Sequence, residues 1–239
     1  MSAEPLIKAA RKLSGEVSRL SFDSRITHVY NPLDYAWDPY REYLHRFAGG
    51  KKNVLFLGMN PGPWGMAQTG IPFGEIESVR DWMGITGNVT SPRQTHPKRP
   101  VDGFDCVKSE VSGRRLWGLM KARYGTPLRF FSDHFVANYC PLVFMEASGR
   151  NFTPDKLPSA QQVELFQACD RHLEQVVHEL EPQWLLGVGR FAEKRLRHLF
   201  SGENYSIETI LHPSPASPAA NRGWAEAAVK KLTSLGIWS

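Results

Sequence analysis

Asn53-Val54-Leu55-Phe56-Leu57-Gly58-Met59 is a short apolar run that breaks directly into Asn60-Pro61-Gly62-Pro63-Trp64-Gly65. It is too short for a buried helix and suits a strand covered on both faces. Phe135–Cys140 (FVANYC), Trp184–Val188 (WLLGV) and Ser206–Leu211 (SIETIL) read the same way, the first and last less purely apolar. Helical patterns lie between them. Leu116, Leu119 and Met120 fall on one side of a helix over Gly113–Tyr124. Ser159–Leu180 carries an apolar stripe through Leu165, Leu173, Val176 and Leu180, with Ser159 as N-cap and Glu181-Pro182 as stop. A short helix follows over Phe191–Phe200, and a last one from about Pro218 to Leu235, ending at Gly236.

Strands alternating with helices predict an α/β protein: a three-layer α/β/α sandwich around a central, mainly parallel four-stranded sheet. The 239 residues suit one domain over 1–239, with an N-terminal helical segment over about 1–48 and a core over 49–239. The first twenty residues mix charge into their apolar positions, which predicts an amphipathic helix and not a secretory signal. No run is apolar and long enough to span a membrane. Cys106, Cys140 and Cys169 are odd in number and widely spaced, so a disulfide framework, a cysteine-held metal and an iron–sulfur cluster are not expected, nor is any other cofactor. The expected setting is intracellular and reducing: nucleus in a eukaryote, cytoplasm or nucleoid in a bacterium. Nothing in the sequence suggests more than a monomer. The net charge of +5 permits a polyanionic partner without requiring one.

In a parallel sheet, ligands bind beyond the carboxyl ends of the strands. Three of the four loops there are unusual. The first, Gly58–Gly65, holds three glycines and two prolines, which fix an irregular path able to present Asn60; it also reads as a plain tight turn. It is neither a P-loop nor a dinucleotide fingerprint. Phe73, between Pro72 and Gly74, sits outside any helical or strand stripe and can stack on a planar ring, or simply cap the sheet. Asn138 stands in an apolar strand; its amide complements the N3–H and O4 edge of a uracil, or satisfies neighbouring backbone. His212 precedes Pro213-Ser214-Pro215-Ala216-Ser217-Pro218 at a strand tip, where it can donate to a developing anion or serve structure alone. The Pro/Ser loop enters a helix N-terminus, a setting suited to phosphate. Pro92–Pro100 and the stretch Ser148-Gly149-Arg150-Asn151 add donors and positive charge suited to a phosphate backbone.

Taken together, Gly58–Gly74 (GMNPGPWGMAQTGIPFG), Phe135–Leu142 (FVANYCPL), Ser148–Leu157 (SGRNFTPDKL) and His212–Trp224 (HPSPASPAANRGW) resemble the single-strand-selective monofunctional uracil-DNA glycosylases. Arg80–Gly84, His96–Pro100, Ser109–Gly113 and Gly187–Arg190 extend the resemblance over nearly the whole chain. It implies the uracil-glycosylase fold and a base-excision enzyme acting on DNA that contains uracil or C5-modified uracils such as 5-hydroxymethyluracil. It implies that Asn60 positions the attacking water and that His212 stabilises the departing uracil anion at O2. Asn138 would read the pyrimidine edge, Phe73 would stack on the base, Met59 would contribute backbone contacts, and Gly62 would leave room beside C5. Pro213, Ser214, Ala216, Asn221 and Arg222 would join Ser148–Asn151 in holding DNA. The chain departs from animal members at Ala216, where they carry an Arg in the wedge that fills the vacated stack; Arg222 is a candidate replacement. Other expectations compatible with these residues are a different uracil-glycosylase branch or a non-catalytic DNA-binding module on the same scaffold.

The physical logic is that a base must leave the stack to expose its glycosidic bond. Cleavage leaves negative charge on uracil, so a preorganised donor at its oxygen is the largest lever. The motif segments Gly58–Gly74, Phe135–Leu142 and His212–Trp224 contain no lysine, so a Schiff-base lyase step is not expected.

Overall fold

The computed structural model describes residues 2–239. Its first helix, α1 (Glu4–Val17), turns Leu6, Ala10, Leu13 and Val17 inward, the amphipathic pattern expected of that segment. Then come β1 (His28–Tyr30), α2 (Pro32–Tyr35) and α3 (Trp37–Phe47). The core follows: β2 (Val54–Gly58), α4 (Met66–Thr69), α5 (Val111–Tyr124), α6 (Pro127–Phe131), β3 (His134–Asn138), β4 (Val143–Met145) and β5 (Asn151–Phe152). The remainder is α7 (Ser159–Leu180), β6 (Trp184–Val188), α8 (Arg190–Phe200), β7 (Ser206–Ile210), α9 (Pro218–Asn221) and α10 (Trp224–Ser234).

The four strands expected from apolar runs form one parallel sheet in the order β3-β2-β6-β7. Val54, Leu55, Phe56 and Leu57 all have 0% exposure. Successive side chains of a strand point to opposite faces, so both faces of the sheet are covered. Each such burial stabilises the fold by roughly 1.5–3 kcal/mol. β3 and β6 flank β2 on opposite sides, so the winding reverses at β2. A crevice opens at the carboxyl ends of strands at such a reversal, and the loops singled out from sequence all leave from there.

Three features differ from expectation. A second, antiparallel sheet, β1-β4-β5, was not legible. Its strands are two or three residues long and show no period. It places Asn151 on a strand instead of a loop. In α7, Ser159 is the first helical residue and the N-cap is Pro158, with no side-chain cap. Gln162 Nε2 donates instead to the Leu157 and Asp155 carbonyls just before the helix, at 2.7 and 3.0 Å. The last helix is broken: α9 ends at Asn221 and α10 starts at Trp224, because Gly223 takes φ 137°, which no helix allows. The stop after α7 stands as read, with Glu181 left-handed at φ 44°.

Candidate active site

A hollow of about 450 Å³ lies at the carboxyl ends of the parallel strands, within the usual range for a small-molecule site. Met59, Asn60, Gly62, Phe73, Asn138 and His212 all line it. Six residues singled out in three separate segments therefore converge on one space.

The parallel register sets the first wall. Gly58 lies opposite Asn138, and the pairing runs on past the strands: Tyr139 N–H donates to the Gly58 carbonyl (2.9 Å) and Cys140 N–H to that of Met59 (2.8 Å). Asn60 Nδ2 donates to the Leu142 carbonyl at 3.1 Å, which anchors one end of its amide and leaves Oδ1 as a free acceptor. Asn138 Nδ2 donates weakly to Met66 Sδ at 3.3 Å. Its Oδ1 is buried and has no hydrogen-bond partner among the described residues. An orphaned buried acceptor costs about 1–3 kcal/mol, a cost that a ligand donor would remove. A Cβ at Gly58 would overlap this oxygen and come within 2.7 Å of the Phe73 ring, so only glycine lets the three groups meet.

Phe73 is one of two non-glycine residues with a left-handed backbone among those described, at φ 53°. Such a conformation persists only where its surroundings enforce it. Here the Phe73 carbonyl accepts from Trp117 Nε1 (3.0 Å) and Glu75 N–H (2.7 Å), and Gly113 of α5 packs directly on it. The ring is 7% exposed, presented as a shelf with its centre 6.1 Å from that of His212.

His212 follows β7. Ser214 N–H donates to its Nδ1 at 3.1 Å, so Nδ1 is the acceptor and the single proton of the neutral ring sits on Nε2. Burial pushes its pKa down to about 4, so the ring is neutral at physiological pH. Several contacts hold the loop. Trp224 Nε1 donates to the Leu211 carbonyl (2.6 Å), and Gly189, at φ 94°, lets β6's exit pack against the His212 side chain. Arg115 of α5 donates to the Pro213 carbonyl (3.0 Å) and to Asn221 Oδ1 (2.9 Å), while Asn221 Nδ2 donates to the Pro215 carbonyl (2.8 Å).

The space beside Gly62 is not empty. The Glu110 carboxyl lies against both Gly62 and Gly65, so that a Cβ on either would overlap it. Glu110 also lines the hollow. Its carboxyl makes no hydrogen bond or ion pair to the described residues, and burial, helped by the Glu75 carboxylate, pushes its pKa up to about 7. Sequence reasoning missed Glu110 and Arg115. Glu110 lies in Ser109–Gly113, which carried a resemblance but no role, and Arg115 lies on the helix read over Gly113–Tyr124; only tertiary contact marks them.

The residues expected to face DNA fall into two groups. Ser148, Arg150, Asn151, Ala216, Asn221 and Arg222 are exposed and Ser214 is half-buried; of these, Asn151 and Ser214 line the hollow. Gly149 and Pro213 are buried, with their carbonyls bonded to Arg99 and Arg115. The two basic loops are stitched together: His96 Nε2 contacts the Ala147 carbonyl at 3.2 Å, and Arg99 donates to that of Gly149 at 2.9 Å. Trp64, on the rim, carries Lys108 and Arg99 against its ring, 4.1 and 5.1 Å from its centre. Ser217 N-caps α9, accepting from Ala220 N–H at 3.3 Å, so Ala216 stands just outside a helix N-terminus. Among the described residues, no three of His, Cys, Asp and Glu come together to hold a metal, and no helix is long and apolar enough to cross a membrane. The three cysteines are buried free thiols.

Comparison with known proteins sharpens the picture. The family model "Uracil DNA glycosylase superfamily" matches residues 45–233. The chain is 50% identical over 237 residues to the single-strand selective monofunctional uracil-DNA glycosylase of Rattus norvegicus, an alignment covering 98% of this chain and 85% of that protein. It is 48% identical to the protein of the same name from Bos taurus, covering 98% and 87%. Among solved structures, wild-type Pedobacter heparinus SMUG2 superposes with a TM-score of 0.68 at 17% identity, covering 96% of this chain and 97% of that one. At that identity the likeness speaks to fold alone.

Proposed function

The chain belongs to the uracil-DNA glycosylase superfamily and is a base-excision hydrolase of N-glycosyl bonds, and we propose that it is monofunctional, accepts C5-modified uracils, and works through Asn60, Asn138 and His212 in the roles that follow. The everted base stacks on Phe73. Asn138 Oδ1 accepts from N3–H, and the second hydrogen of Nδ2 donates to O4. His212 Nε2–H donates to O2 as charge builds there. Asn60 Oδ1 accepts a hydrogen bond from water and aims it at the sugar carbon. Met59 and Gly62 line the base's remaining edges.

The bond breaks toward a sugar cation and a uracil anion. A neutral imidazole with its proton fixed on Nε2 stabilises that anion without prior rearrangement. Asn60 is no base, and none is required when the sugar cation is already reactive; orientation of the water suffices. Cytosine places an acceptor at N3 and a donor at N4, leaving Asn138 mispaired on both ends, a penalty of roughly 1–3 kcal/mol. No lysine is among the residues lining the hollow, so water is the nucleophile: the base leaves and the sugar stays in the DNA strand as an abasic site.

DNA is held at the rim by Ser148, Arg150, Asn151, Ser214 and Arg222, with Ala216 at the position of the wedge. The protein acts as a monomer, without a metal or iron–sulfur cluster. The observation that carries the reading is the buried, partnerless Asn138 Oδ1 in the same hollow as a histidine locked as an Nε2–H donor. The test is release of free base from labelled oligonucleotides bearing uracil, 5-hydroxymethyluracil or cytosine, single-stranded and duplex. Release of the first two and not the third is expected. Cytosine release at a rate comparable to uracil would sink the Asn138 assignment.

A further inference from the structure

Arg115 reaches from α5 to the loop after β7 and ends on uncharged oxygens. Its Nη1 donates to the Pro213 carbonyl at 3.0 Å and more weakly to that of Ser214 at 3.4 Å, and its Nη2 donates to Asn221 Oδ1 at 2.9 Å. Among the described residues it forms no ion pair. The residue is half-buried, and a guanidinium keeps its charge in a protein. A whole positive charge is therefore held, uncompensated, on the loop that carries His212. The Pro213 carbonyl and the Ser214 N–H belong to one peptide unit. No cis bond occurs among the described residues, and in a planar trans peptide the oxygen and the hydrogen point in opposite directions. One end of this unit accepts from Arg115, and the other donates to His212 Nδ1 at 3.1 Å. Guanidinium, peptide and imidazole thus stand in series, with the Nε2–H of His212 as the last link.

We propose that Arg115 is a positioning residue that acts through the Pro213–Ser214 peptide: its charge polarises that peptide, strengthens the Ser214 N–H bond to His212, and so makes the imidazole a stronger donor to the departing base. This rests on the role given to His212 above. Hydrogen bonds in a chain polarise one another, and a bond with one ionised end is roughly twice as strong as a neutral one. Electron density drawn toward the guanidinium at the Pro213 oxygen is drawn in turn from the Ser214 nitrogen, from Nδ1 and from Nε2. The demand on Nε2–H grows as negative charge gathers on uracil O2. The gain therefore lies in the transition state more than in the bound substrate, and it raises the rate more than the affinity. No proton travels along the series; each hydrogen ends on the atom where it began. Asn221 fixes the fork across the loop, taking one arm of the guanidinium on Oδ1 and donating from Nδ2 to the Pro215 carbonyl at 2.8 Å.

The test is single-turnover excision of uracil and of 5-fluorouracil by the full chain and by Arg115→Met, Arg115→Lys and His212→Ala, with NMR of the His212 ring nitrogens and the Ser214 amide. Wild-type protein is expected to show neutral His212 protonated on Nε2 alone. Arg115→Met keeps the stem and removes the charge. It is expected to slow uracil release about fivefold, the factor given by weakening one charge-assisted hydrogen bond, with affinity for uracil-containing DNA within about twofold. The tautomer should stay, and the Ser214 amide proton should move upfield. Fluorine withdraws electrons and lets the base leave as an anion with less help, so release of 5-fluorouracil should fall by less than about twofold. Arg115→Lys, which keeps the charge, should retain most of the rate. A wild-type ring protonated on Nδ1 overturns the proposal without any variant having to fold. So does Arg115→Met at the wild-type rate, or Arg115→Lys as slow as Arg115→Met. A deficit equal for both bases, or one accompanied by loss of the Nε2–H tautomer, would reduce Arg115 to a loop anchor. His212→Ala releasing uracil at a near-wild-type rate would instead refute the role of His212 itself.

Discussion

The Ser214 amide holds His212 by Nδ1 at 3.1 Å, so the neutral ring carries its proton on Nε2, beside the hollow. Replacing His212 with Ala removes a donor fixed before the reaction starts. Single-turnover release of uracil should fall by about 10²-fold or more, as when one transition-state donor is lost. A near-wild-type rate would end that role.

Asn60 is anchored through Nδ2 to the Leu142 carbonyl, outside the base-reading wall. Asn60→Ala should therefore cripple hydrolysis while binding of uracil-containing DNA stays within a few-fold of wild type, since the contacts that seat the base are untouched. Affinity falling in step with the rate would make Asn60 a structural residue.

Asn138→Asp changes the code at one edge. A protonated aspartic acid presents a donor to N3 of cytosine and an acceptor to N4–H. Cytosine release should appear in this variant and increase as the pH falls, while uracil release drops. A pH series on a cytosine oligonucleotide decides the matter; no release at any pH removes the idea.

The titrating groups pull stability in opposite directions. Burial pushes both His172 and His212 from 6.5 down to about 4. Between those values the unfolded chain binds the protons and the native one does not, so their contribution is full above pH 6.5 and is lost as the pH falls toward 4. Glu110, raised from 4.5 to about 7, does the reverse: its contribution is full below pH 4.5 and is lost as the pH rises through 7. Glu110→Gln should therefore gain in Tm over wild type progressively from pH 4.5 to 8. A constant offset across that range would show that Glu110 does not titrate as the structure implies.

The sheet was legible because strands buried on both faces must be short and apolar throughout, as Val54–Leu57 and Trp184–Val188 are. α7 was legible to its last residue, since its apolar stripe runs over 22 residues and Glu181-Pro182 stops it. Asn60, Asn138 and His212 stood out because each is polar beside an apolar strand end. What escaped has a common cause. β1 meets β4 across more than a hundred residues of sequence, pairing His28 with Met145, and neither strand is long enough to announce itself. Glu110 sits at the head of α5, before the helix read from Gly113, in a segment that carried a resemblance but no role, and its place behind Gly62 is created by tertiary packing. The Gly223 break has a local signal, a glycine inside a helical pattern, which the flanking periodicity outweighed.

Asn60 is tied to Leu142, and Gly58 to Asn138, across some eighty intervening residues, and His212 joins them only from β7. A long loop must close before either tie can form, and closure of that kind comes late and costs entropy that only the finished sheet returns. No fragment ending before β7 carries His212, so a nascent chain cannot complete the hollow until that strand and the residues after it have left the ribosome. An enzyme that breaks glycosidic bonds in a genome is thereby barred from acting while half made.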